Sequence, residues 1–447
     1  MTSATVLARL GGRALADERR PEGDLDDDRS SHDRASDRRR RAARHGDTIV
    51  SDRIDTRVLG IGIVGCGNIA ERMHLPAWQD LGHLVRVVAV ADPNPEARER
   101  LRQLAGLSAT DAYAGADELI ARDDVHIVDV CTPQAFRRDV LVGSAEAGKH
   151  VLVEKPLATT PADGAAAVEA AAANGTVLAI VHIFVVLPEI VATKQVIDAG
   201  EIGTVRSVVA NYLGVSYEAG AAGDWRRDPV LAGGGVLTDM IHGVYQAEAL
   251  IGEPFRRVKA HISAPGPEWQ VEDLAACVFE TDHRVALVNI GWGFGPGGVV
   301  VTGDLGRIDI RYEAGGTAPW ANLEHVTVTT TAGSRQLMGA ATERRVGLGD
   351  FPSHSVAFRT LALAFAEAAH GRGEPVATGA DGLRSLESVI GAYVSAATGE
   401  TVTIPLHRTS APFLHGAMGV PDIATVDWSP YHNTQLFRPD AAEGRVS

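Results

Sequence analysis

Lysine and cysteine are scarce in this chain of 447 residues. Lysine occurs only at positions 149, 155, 194 and 259, and arginine supplies the rest of the side-chain cations. Cysteine occurs only as Cys66, Cys131 and Cys277, which excludes a disulfide framework and a zinc-finger pattern and favours a reducing compartment, the cytoplasm. No apolar run reaches the length of a membrane span. The net charge of −15 argues against a general nucleic-acid binder.

Residues 1–57 have a composition unlike the rest of the chain. Arg and Asp crowd this stretch and apolar residues are few, so it cannot bury enough apolar surface to offset its chain entropy. We predict that it is disordered. The arginine run at 38–41 has two alternative interpretations, a nucleic-acid patch or an export signal, but acidic residues interleave with it and no apolar segment follows. A start site assigned too far upstream is a further alternative.

Strands and helices alternate from 58 to 184. Short runs rich in Val and Ile indicate buried strands, and the segments between them indicate helices, so we predict a parallel, doubly wound α/β sheet. From 185 to 406, longer strands follow one another without intervening helices, which predicts a second α+β domain on a large, mostly antiparallel sheet. Residues 407–447 are rich in Pro, Gly and polar residues and are predicted to be a tail.

A glycine-rich turn joins the first predicted strand to the first helix. It runs Gly65-Cys66-Gly67-Asn68-Ile69-Ala70. Gly65 allows a tight turn, Gly67 lets the backbone approach a pyrophosphate, and the helix N-terminus offers free N–H groups to phosphates. Asp92 ends the next strand, where a carboxylate accepts bonds from ribose hydroxyls and repels a 2′-phosphate, so NAD is favoured over NADP. The alternatives are a glycine turn without a nucleotide and a turn-initiating Asp before Pro93.

Glu154, Lys155 and Pro156 stand at the end of another predicted strand. The carboxyl ends of parallel strands face the ligand crevice, so Lys155 is expected beside the nicotinamide end of a bound dinucleotide. An ammonium there is a compact donor that can give up its proton, which a guanidinium cannot do. Pro156 fixes the backbone, and the bond before it is a candidate cis peptide. A solvated lysine at a strand end is the alternative.

Three glycines at 233–235 lead into an apolar helix that is predicted to continue through Leu250. Asp239 and His242 are three residues apart and therefore share one face of that helix. Both would be buried and need partners, and histidine is the usual residue for taking a proton near neutral pH. A paired, structural Asp and His is the alternative. No metal site is expected, since no third ligand is evident.

The three motifs, in this order, resemble those of the Gfo/Idh/MocA oxidoreductase family, which includes glucose–fructose oxidoreductase and inositol dehydrogenase. The likeness covers about residues 58–406 and extends to CTP at 131–133 and to Trp225-Arg226 before the glycines. It implies an NAD(P)-binding Rossmann domain at 58–184 and a substrate and oligomerisation domain at 185–406, assembled as a homodimer or homotetramer. It implies catalytic roles for Lys155, Asp239 and His242. The cofactor contacts that it implies are Gly65, Gly67, Asn68, Ile69, Asp92, Thr132, Pro133, Glu154 and Lys155.

Three features depart from the family pattern. The family commonly spaces its Asp and His by four residues, and the spacing of three here rotates His242 on the helix. Gln134 and Arg137 stand near the places where the family often has an Asn and a His after CTP. The arginine that often precedes the proline after the last Rossmann strand is missing from HIFVVLP. We therefore expect one edge of the pocket to differ from that of typical members.

The predicted function is hydride transfer between nicotinamide and a secondary alcohol of a sugar, cyclitol or related polyol. His242 is the candidate base, Lys155 would donate to the reacting oxygen, and Asp239 would hold a neighbouring hydroxyl. The candidate substrate contacts are Trp225, Arg226, His182 and Tyr245. Two alternatives stay open: a catalytically silent NAD-binding regulator, and a glycoside hydrolase that uses tightly bound NAD through transient oxidation.

Overall fold

The computed structural model describes residues 57–213, 224–264, 270–292, 297–312, 323–339 and 352–420. The predicted disorder of residues 1–57 falls outside this part of the chain except at Arg57, and so does the predicted tail beyond residue 420. No helix within the described ranges combines the length and the apolar character that a membrane crossing requires.

The first sheet has six parallel strands in the order β3-β2-β1-β4-β5-β6. They are β1 (Leu59–Val64), β2 (Val85–Ala91), β3 (Ala112–Tyr113), β4 (Ile127–Val130), β5 (His150–Val153) and β6 (Leu178–Ile180). The helices of this half are α1 (Leu75–Asp80), α2 (Pro95–Leu104), α3 (Ala116–Ile120), α4 (Arg137–Glu146) and α5 (Pro161–Asn174). The order reverses between β1 and β4, which opens a ligand crevice there. The predicted doubly wound sheet is confirmed.

Local sequence explains where these elements begin and end. Strands β1 and β4 are buried along their whole length, as expected of central strands covered by helices on both faces. Helix α5 begins after Thr160, whose side chain accepts the backbone N–H of Asp163, and ends at Gly175 with φ of 62°. Helix α2 begins after Asn94, whose side chain accepts two backbone N–H groups of the first turn.

The second sheet has nine strands in the order β14-β13-β12-β11-β7-β10-β9-β8-β15. They are β7 (Val205–Tyr212), β8 (Arg257–Ser263), β9 (Leu274–Glu280), β10 (Val285–Gly291), β11 (Gly298–Gly303), β12 (Gly306–Tyr312), β13 (Leu323–Thr330), β14 (Gly333–Met338) and β15 (Val402–Thr403). The pair β7–β10 is parallel and the other described pairs are antiparallel. The prediction of a mostly antiparallel second sheet is therefore confirmed.

The described helices of the second half of the chain pack in part on this second sheet. They are α6 (Pro188–Asp198), α7 (Pro229–Ala232), α8 (Val236–Asp239), α9 (His242–Ile251), α10 (Pro352–Ala369), α11 (Gly379–Thr398) and α12 (Ala411–His415). Helix α9 packs on β7 and β10, and α11 packs on β8. The strands alternate buried and less buried residues, so the opposite face of the sheet is open.

One predicted helix is wrong in its extent. The helix predicted from the glycines through Leu250 is two helices, because Met240 leaves the helical conformation with φ of −100° and ψ of 31°. The first residues of the predicted tail, 407–420, lie within the described part of the chain. Helix α12 contacts α5, and Phe413 and Ala417 are 4% and 1% exposed. Their apolar burial holds residues 407–420 on the domain.

Candidate functional site

A cavity of about 800 Å³ lies at the carboxyl ends of β1 and β4 and is also lined by residues of the second domain. The predicted site residues that line it are Gly65, Gly67, Asn68, Ile69, Asp92, Thr132, Pro133, Glu154, Lys155, Trp225, Arg226, Asp239 and His242. The three sequence motifs are therefore brought to one cavity. Gln134 and Arg137, the two departures after CTP, also lie in its wall.

The glycine turn forms one end of the cavity. Gly65 has φ of 94°, and a Cβ there would lie 2.8 Å from the backbone of Cys131. Gly67 has no atom within 4 Å of the place where a Cβ would be, so its backbone is open to a ligand. The Asp92 carboxylate accepts the N–H of Cys66 at 2.7 Å and that of Asn94 at 2.8 Å. Asp92 thus fixes the turn as well as facing the cavity.

Two buried polar atoms in the wall have no hydrogen-bond partner among the described residues. They are Oγ1 of Thr132 and Oε1 of Gln134, and Gln134 is only 4% exposed. Its other amide atom, Nε2, donates to the carbonyl of Ala232 in the second domain at 3.2 Å. Buried polar atoms are nearly always paired in folded proteins. The carboxamide and ribose hydroxyls of a dinucleotide offer such partners, so the cavity fits NAD.

Arg137 holds the backbone around the Glu-Lys-Pro motif. Its side chain is buried and donates to the carbonyls of Thr132, Glu154 and Pro156. Burial lowers the pKa of Arg137 to about 10, against the pull of the Glu154 carboxylate. The Lys155–Pro156 bond is cis, as the sequence indicated. Arg137 thus fixes the backbone on both sides of Lys155.

Lys155 and Asp239 form the polar centre of the cavity. Lys155 Nζ donates to the backbone carbonyl of Asp239 at 2.6 Å and lies 3.6 Å from its Oδ1. The carboxylate also accepts from Nε of Arg226 at 3.3 Å and from Nε1 of Trp292 at 3.1 Å. Burial lowers the pKa of Lys155, and Asp239 and Glu154 oppose that shift. Burial would raise the pKa of Asp239, but Lys155 and Arg226 reverse it, so the carboxylate is ionised.

His242 lies at the start of α9 with its ring against the cavity. Nδ1 is 2.6 Å from Oη of Tyr245, and the ring stacks on Phe184 at a centroid distance of 4.2 Å. His182 and Tyr245, both expected to contact substrate, do not line the cavity. They are 3% and 4% exposed and stack on each other at 3.8 Å behind the wall. Burial lowers the pKa of His182 to about 3, so this ring is neutral. Apolar packing thus places them one layer behind the site.

A buried histidine that the sequence analysis did not single out supports the Glu-Lys-Pro motif. His74 is 0% exposed, with Nδ1 at 2.9 Å from both oxygens of Asp129 and Nε2 at 3.1 Å from Glu154. Burial would lower the pKa of His74, but Asp129 outweighs it and holds that pKa well above its usual range. Glu154 in turn accepts the N–H of Lys155 at 3.0 Å. The residue that could have indicated this cluster from the sequence is Asp129, because a carboxylate inside the buried strand IVDV needs a partner.

His74, Asp129 and Cys131 also bring potential metal-ligand atoms within 4.8 Å of one another. The spacing between His74 and Asp129 is that of hydrogen bonds, and Trp78 donates to the same carboxylate at 2.6 Å. Their ligand atoms are thus engaged with one another and with Trp78.

Glu272 is a second residue that sequence reasoning missed. It is 0% exposed and accepts the backbone N–H groups of Gly235 and Leu237 at the start of α8, together with the hydroxyl of Tyr393 at 2.6 Å. Helix α8 ends at Asp239, so this carboxylate anchors the element that carries Asp239.

Comparison with protein-family models places both halves of the chain. Residues 59–182 match an oxidoreductase family with an NAD-binding Rossmann fold, and residues 190–317 match the GFO/IDH/MocA C-terminal domain. The chain belongs to the Gfo/Idh/MocA oxidoreductase family. Its first domain is an NAD-binding Rossmann domain.

Two curated relatives of this family member are named for reactions on sugars. The chain is 34% identical to dTDP-3,4-didehydro-2,6-dideoxy-alpha-D-glucose 3-reductase of Streptomyces violaceoruber, over 45% of this chain and 56% of that protein. It is 30% identical to levoglucosan dehydrogenase of Pseudarthrobacter phenanthrenivorans, over 58% of this chain and 65% of that protein. The chain thus spans between half and two thirds of these relatives.

A solved structure is similar to this chain over a longer stretch. The aldose-aldose oxidoreductase from Caulobacter crescentus, complexed with glycerol, superposes with a TM-score of 0.66 at 27% identity. The superposition covers 78% of this chain and 100% of that one. The arrangement of a Rossmann domain followed by an open-sheet domain is therefore shared across the aligned length.

Proposed function

We propose that the protein is an NAD-dependent oxidoreductase that acts on a secondary alcohol of a sugar, cyclitol or related polyol. The observation that carries the proposal is the Lys155 amine placed beside the Asp239 carboxylate in a cavity that also contains the dinucleotide turn. The relatives named above are a sugar reductase, a sugar dehydrogenase and an aldose–aldose oxidoreductase, which supports this substrate class.

Bound NAD would supply the hydride acceptor for oxidation of the alcohol. The residues Gly65, Gly67, Asn68 and Asp92 would hold the dinucleotide, and Thr132 and Gln134 would meet its nicotinamide end. The chain's own contribution is to orient the alcohol and to handle its proton. Lys155 and His242 are the candidate proton-handling groups, because both face the cavity and both have nitrogen atoms that titrate.

Asp239 and Arg226 would fix the ring of the substrate. The ionised carboxylate accepts hydrogen bonds from hydroxyl groups, and the guanidinium of Arg226 donates them. Arg226 also lies over the ring of Trp225 at 4.6 Å, which places a flat apolar surface and a cation together in the wall. A polyol presents both C–H faces and hydroxyl groups, so it matches this combination.

We propose NAD rather than NADP as the preferred cofactor. The Asp92 carboxylate lies at the end of β2 and lines the cavity beside the glycine turn. A carboxylate there accepts bonds from the two ribose hydroxyls and repels a 2′-phosphate.

The proposed assembly is a homo-oligomer formed through the open face of the second sheet. Four apolar residues are register partners on adjacent strands: Val278, Leu287, Val209 and Val300. Leu287 is 39% exposed, whereas its strand neighbours Ala286 and Val288 are buried on the opposite face. An apolar row across four strands is a surface that a second copy of the chain can cover.

The deciding experiment mixes purified protein with NAD and a panel of sugars, cyclitols and their oxidised forms, and follows absorbance of NADH. We expect NADH formation with at least one ring alcohol, or NADH consumption with its ketone, and weaker activity with NADP. Silence across the panel with NAD bound would overturn the proposal and favour a regulator. Glycoside cleavage without net NADH would favour the redox-assisted hydrolase.

A further inference from the structure

Tyr245 lies behind the cavity wall, and its hydroxyl contacts the ring of His242. Oη is 2.6 Å from Nδ1 of His242 and 3.2 Å from the backbone nitrogen of Phe184. The rings of Phe184 and His182 stack on those of His242 and Tyr245, respectively. Reorienting either aromatic ring would break a stack, so the contact between Oη and Nδ1 is held from both sides.

The hydrogen-bond inventory of this hydroxyl decides which nitrogen of His242 carries the proton. The backbone amide of Phe184 can only donate, so Oη accepts there. The hydroxyl hydrogen of Tyr245 then points to Nδ1 of His242, the acceptor at hydrogen-bond distance. A neutral imidazole that accepts at Nδ1 carries its hydrogen on Nε2. In the other tautomer, Nδ1–H of His242 and N–H of Phe184 would both donate to Oη. The buried hydroxyl hydrogen of Tyr245 would then lose Nδ1 as its acceptor.

We propose that Tyr245 is a positioning residue that holds His242 in the Nε2–H tautomer. His242 then donates a hydrogen bond to the reacting oxygen, and Lys155 is the group that takes the hydroxyl proton. This inference rests on the proposed function for its second half, because it assigns roles within the same reaction. It replaces the expectation that His242 is the base, since a ring that already carries hydrogen on Nε2 cannot accept another there.

The position of Lys155 and the lowered pKa of its amine suit the role of base. Its Nζ is anchored on the Asp239 carbonyl, which fixes the amine at the cavity wall. The charged groups that act on it are Asp239, Glu154, Arg226 and Arg137, and burial favours the neutral amine that a base needs. In oxidation, the substrate O–H bond breaks and an N–H bond forms at Nζ. The O–H electron pair becomes the second bond of the carbonyl as hydride leaves the carbon for the oxidised cofactor.

The first test reads the tautomer in the protein without cofactor or substrate. The ¹⁵N chemical shifts of histidine side chains report which ring nitrogen is protonated, and a His242→Gln variant assigns the signals. We expect an unprotonated Nδ1 in the wild type, and a redistributed proton in Tyr245→Phe. Tyr212→Phe is the matched control, because it removes another buried hydroxyl that contacts α9, through Gln246. A wild-type proton on Nδ1, or an unchanged tautomer in Tyr245→Phe, overturns the proposal.

The second test uses turnover and its pH dependence. We expect Tyr245→Phe to lower kcat about tenfold with a smaller change in KM, while Tyr212→Phe stays close to wild type. In His242→Gln, kcat/KM should be lower than in the wild type but should still rise with pH. In Lys155→Met, the rise with pH should be absent. A rise that vanishes in His242→Gln instead makes His242 the base and overturns the assignment. If the wild type itself turns over no sugar alcohol, the proposed function fails, and the spectra still decide the tautomer.

Discussion

The amine of Lys155 donates a hydrogen bond to the carbonyl oxygen of Asp239, which would accept a backbone N–H if the helix were continuous. Nζ donates to this oxygen at 2.6 Å, whereas the amide of Gly243, four residues after Asp239, donates to Met240 at 3.2 Å. An α-helix pairs the N–H of each residue with the carbonyl four residues earlier. A side chain from the Rossmann domain therefore occupies the break between α8 and α9, and the same contact brings Lys155 beside the carboxylate of Asp239.

Replacing Lys155 with alanine should stop turnover with little effect on the cofactor. The variant loses the amine at the polar centre but leaves the glycine turn and Asp92 unchanged, so we expect kcat to fall by about 10²–10⁴-fold. The dissociation constant for NAD, measured by fluorescence titration, should stay within a few-fold of wild type. Lys194→Ala is the matched control, since Lys194 pairs with Asp198 on the same helix. Near-normal turnover in Lys155→Ala would remove Lys155 from the reaction.

Replacing Asp239 with asparagine should destabilise the protein and change its response to acid. The substitution leaves the cations of Lys155 and Arg226 without their shared carboxylate, and we expect a loss of about 1–3 kcal/mol in the free energy of unfolding near neutral pH. The native pKa of Asp239 is lowered from 3.8, so its contribution is complete above that value and is lost as pH falls through the native pKa. Urea titrations at several pH values check this. Equal acid sensitivity in Asp239→Asn and wild type would contradict it.

Local patterns were enough to predict the first sheet and the residues that meet at its edge. Alternating strands and helices imply parallel pairing, and parallel pairing brings Gly65 and Lys155 to one crevice. The break after Asp239 could not be seen in this way, because the side chain that bonds the Asp239 carbonyl at the break lies 84 residues away in the sequence. Periodicity also could not show that Tyr245 lies behind His242. That layer depends on how α9 packs against the segment at 182–184.

Changing Asp92 should relax the choice of cofactor. In Asp92→Asn the amide still has an oxygen for one of the two N–H groups that the carboxylate accepts, but the charge that repels a 2′-phosphate is gone. We expect NAD to bind more weakly and NADP more tightly, so that the ratio of their dissociation constants moves toward one by about tenfold or more. Isothermal titration with both cofactors measures this ratio. A ratio unchanged from wild type would assign cofactor selection to another residue.

An arginine at Leu287 should separate the subunits. Leu287 lies in the middle of the apolar row on the open sheet face, between Val278 and Val209. Burying an unpaired cation in an interface opposes association. We expect Leu287→Arg to reduce the mass measured by light scattering while circular dichroism stays unchanged. Leu104→Arg, at a leucine that is 50% exposed on α2, is the control and should leave the mass unchanged. A wild-type protein that is already monomeric would contradict the proposed assembly.

Glu272 should make the free energy of unfolding fall as the pH rises from 4.5 to about 7. Burial raises the pKa of this carboxyl from 4.5 to about 7, although Tyr393, Leu237 and Gly235 donate to it. The folded state therefore binds more protons than the unfolded state between these two values, so stability declines across that window by up to about 3 kcal/mol. The pKa of Glu387 is raised over the same range, so Glu387 also makes the free energy of unfolding decline with pH. The contribution of Glu272 is therefore measured by comparing a variant with the wild type.

The variant Glu272→Gln isolates the contribution of Glu272 to this decline. Its amide does not titrate, so the free energy of unfolding should fall less steeply between pH 4.5 and about 7 than in the wild type, whatever its absolute value. Tyr393→Phe removes the hydroxyl that donates to Glu272 at 2.6 Å and should move the window to higher pH. Equal slopes in Glu272→Gln and wild type would mean that this carboxylate stays ionised on its backbone donors. Glu272 would then anchor α8 equally well at every pH in this range.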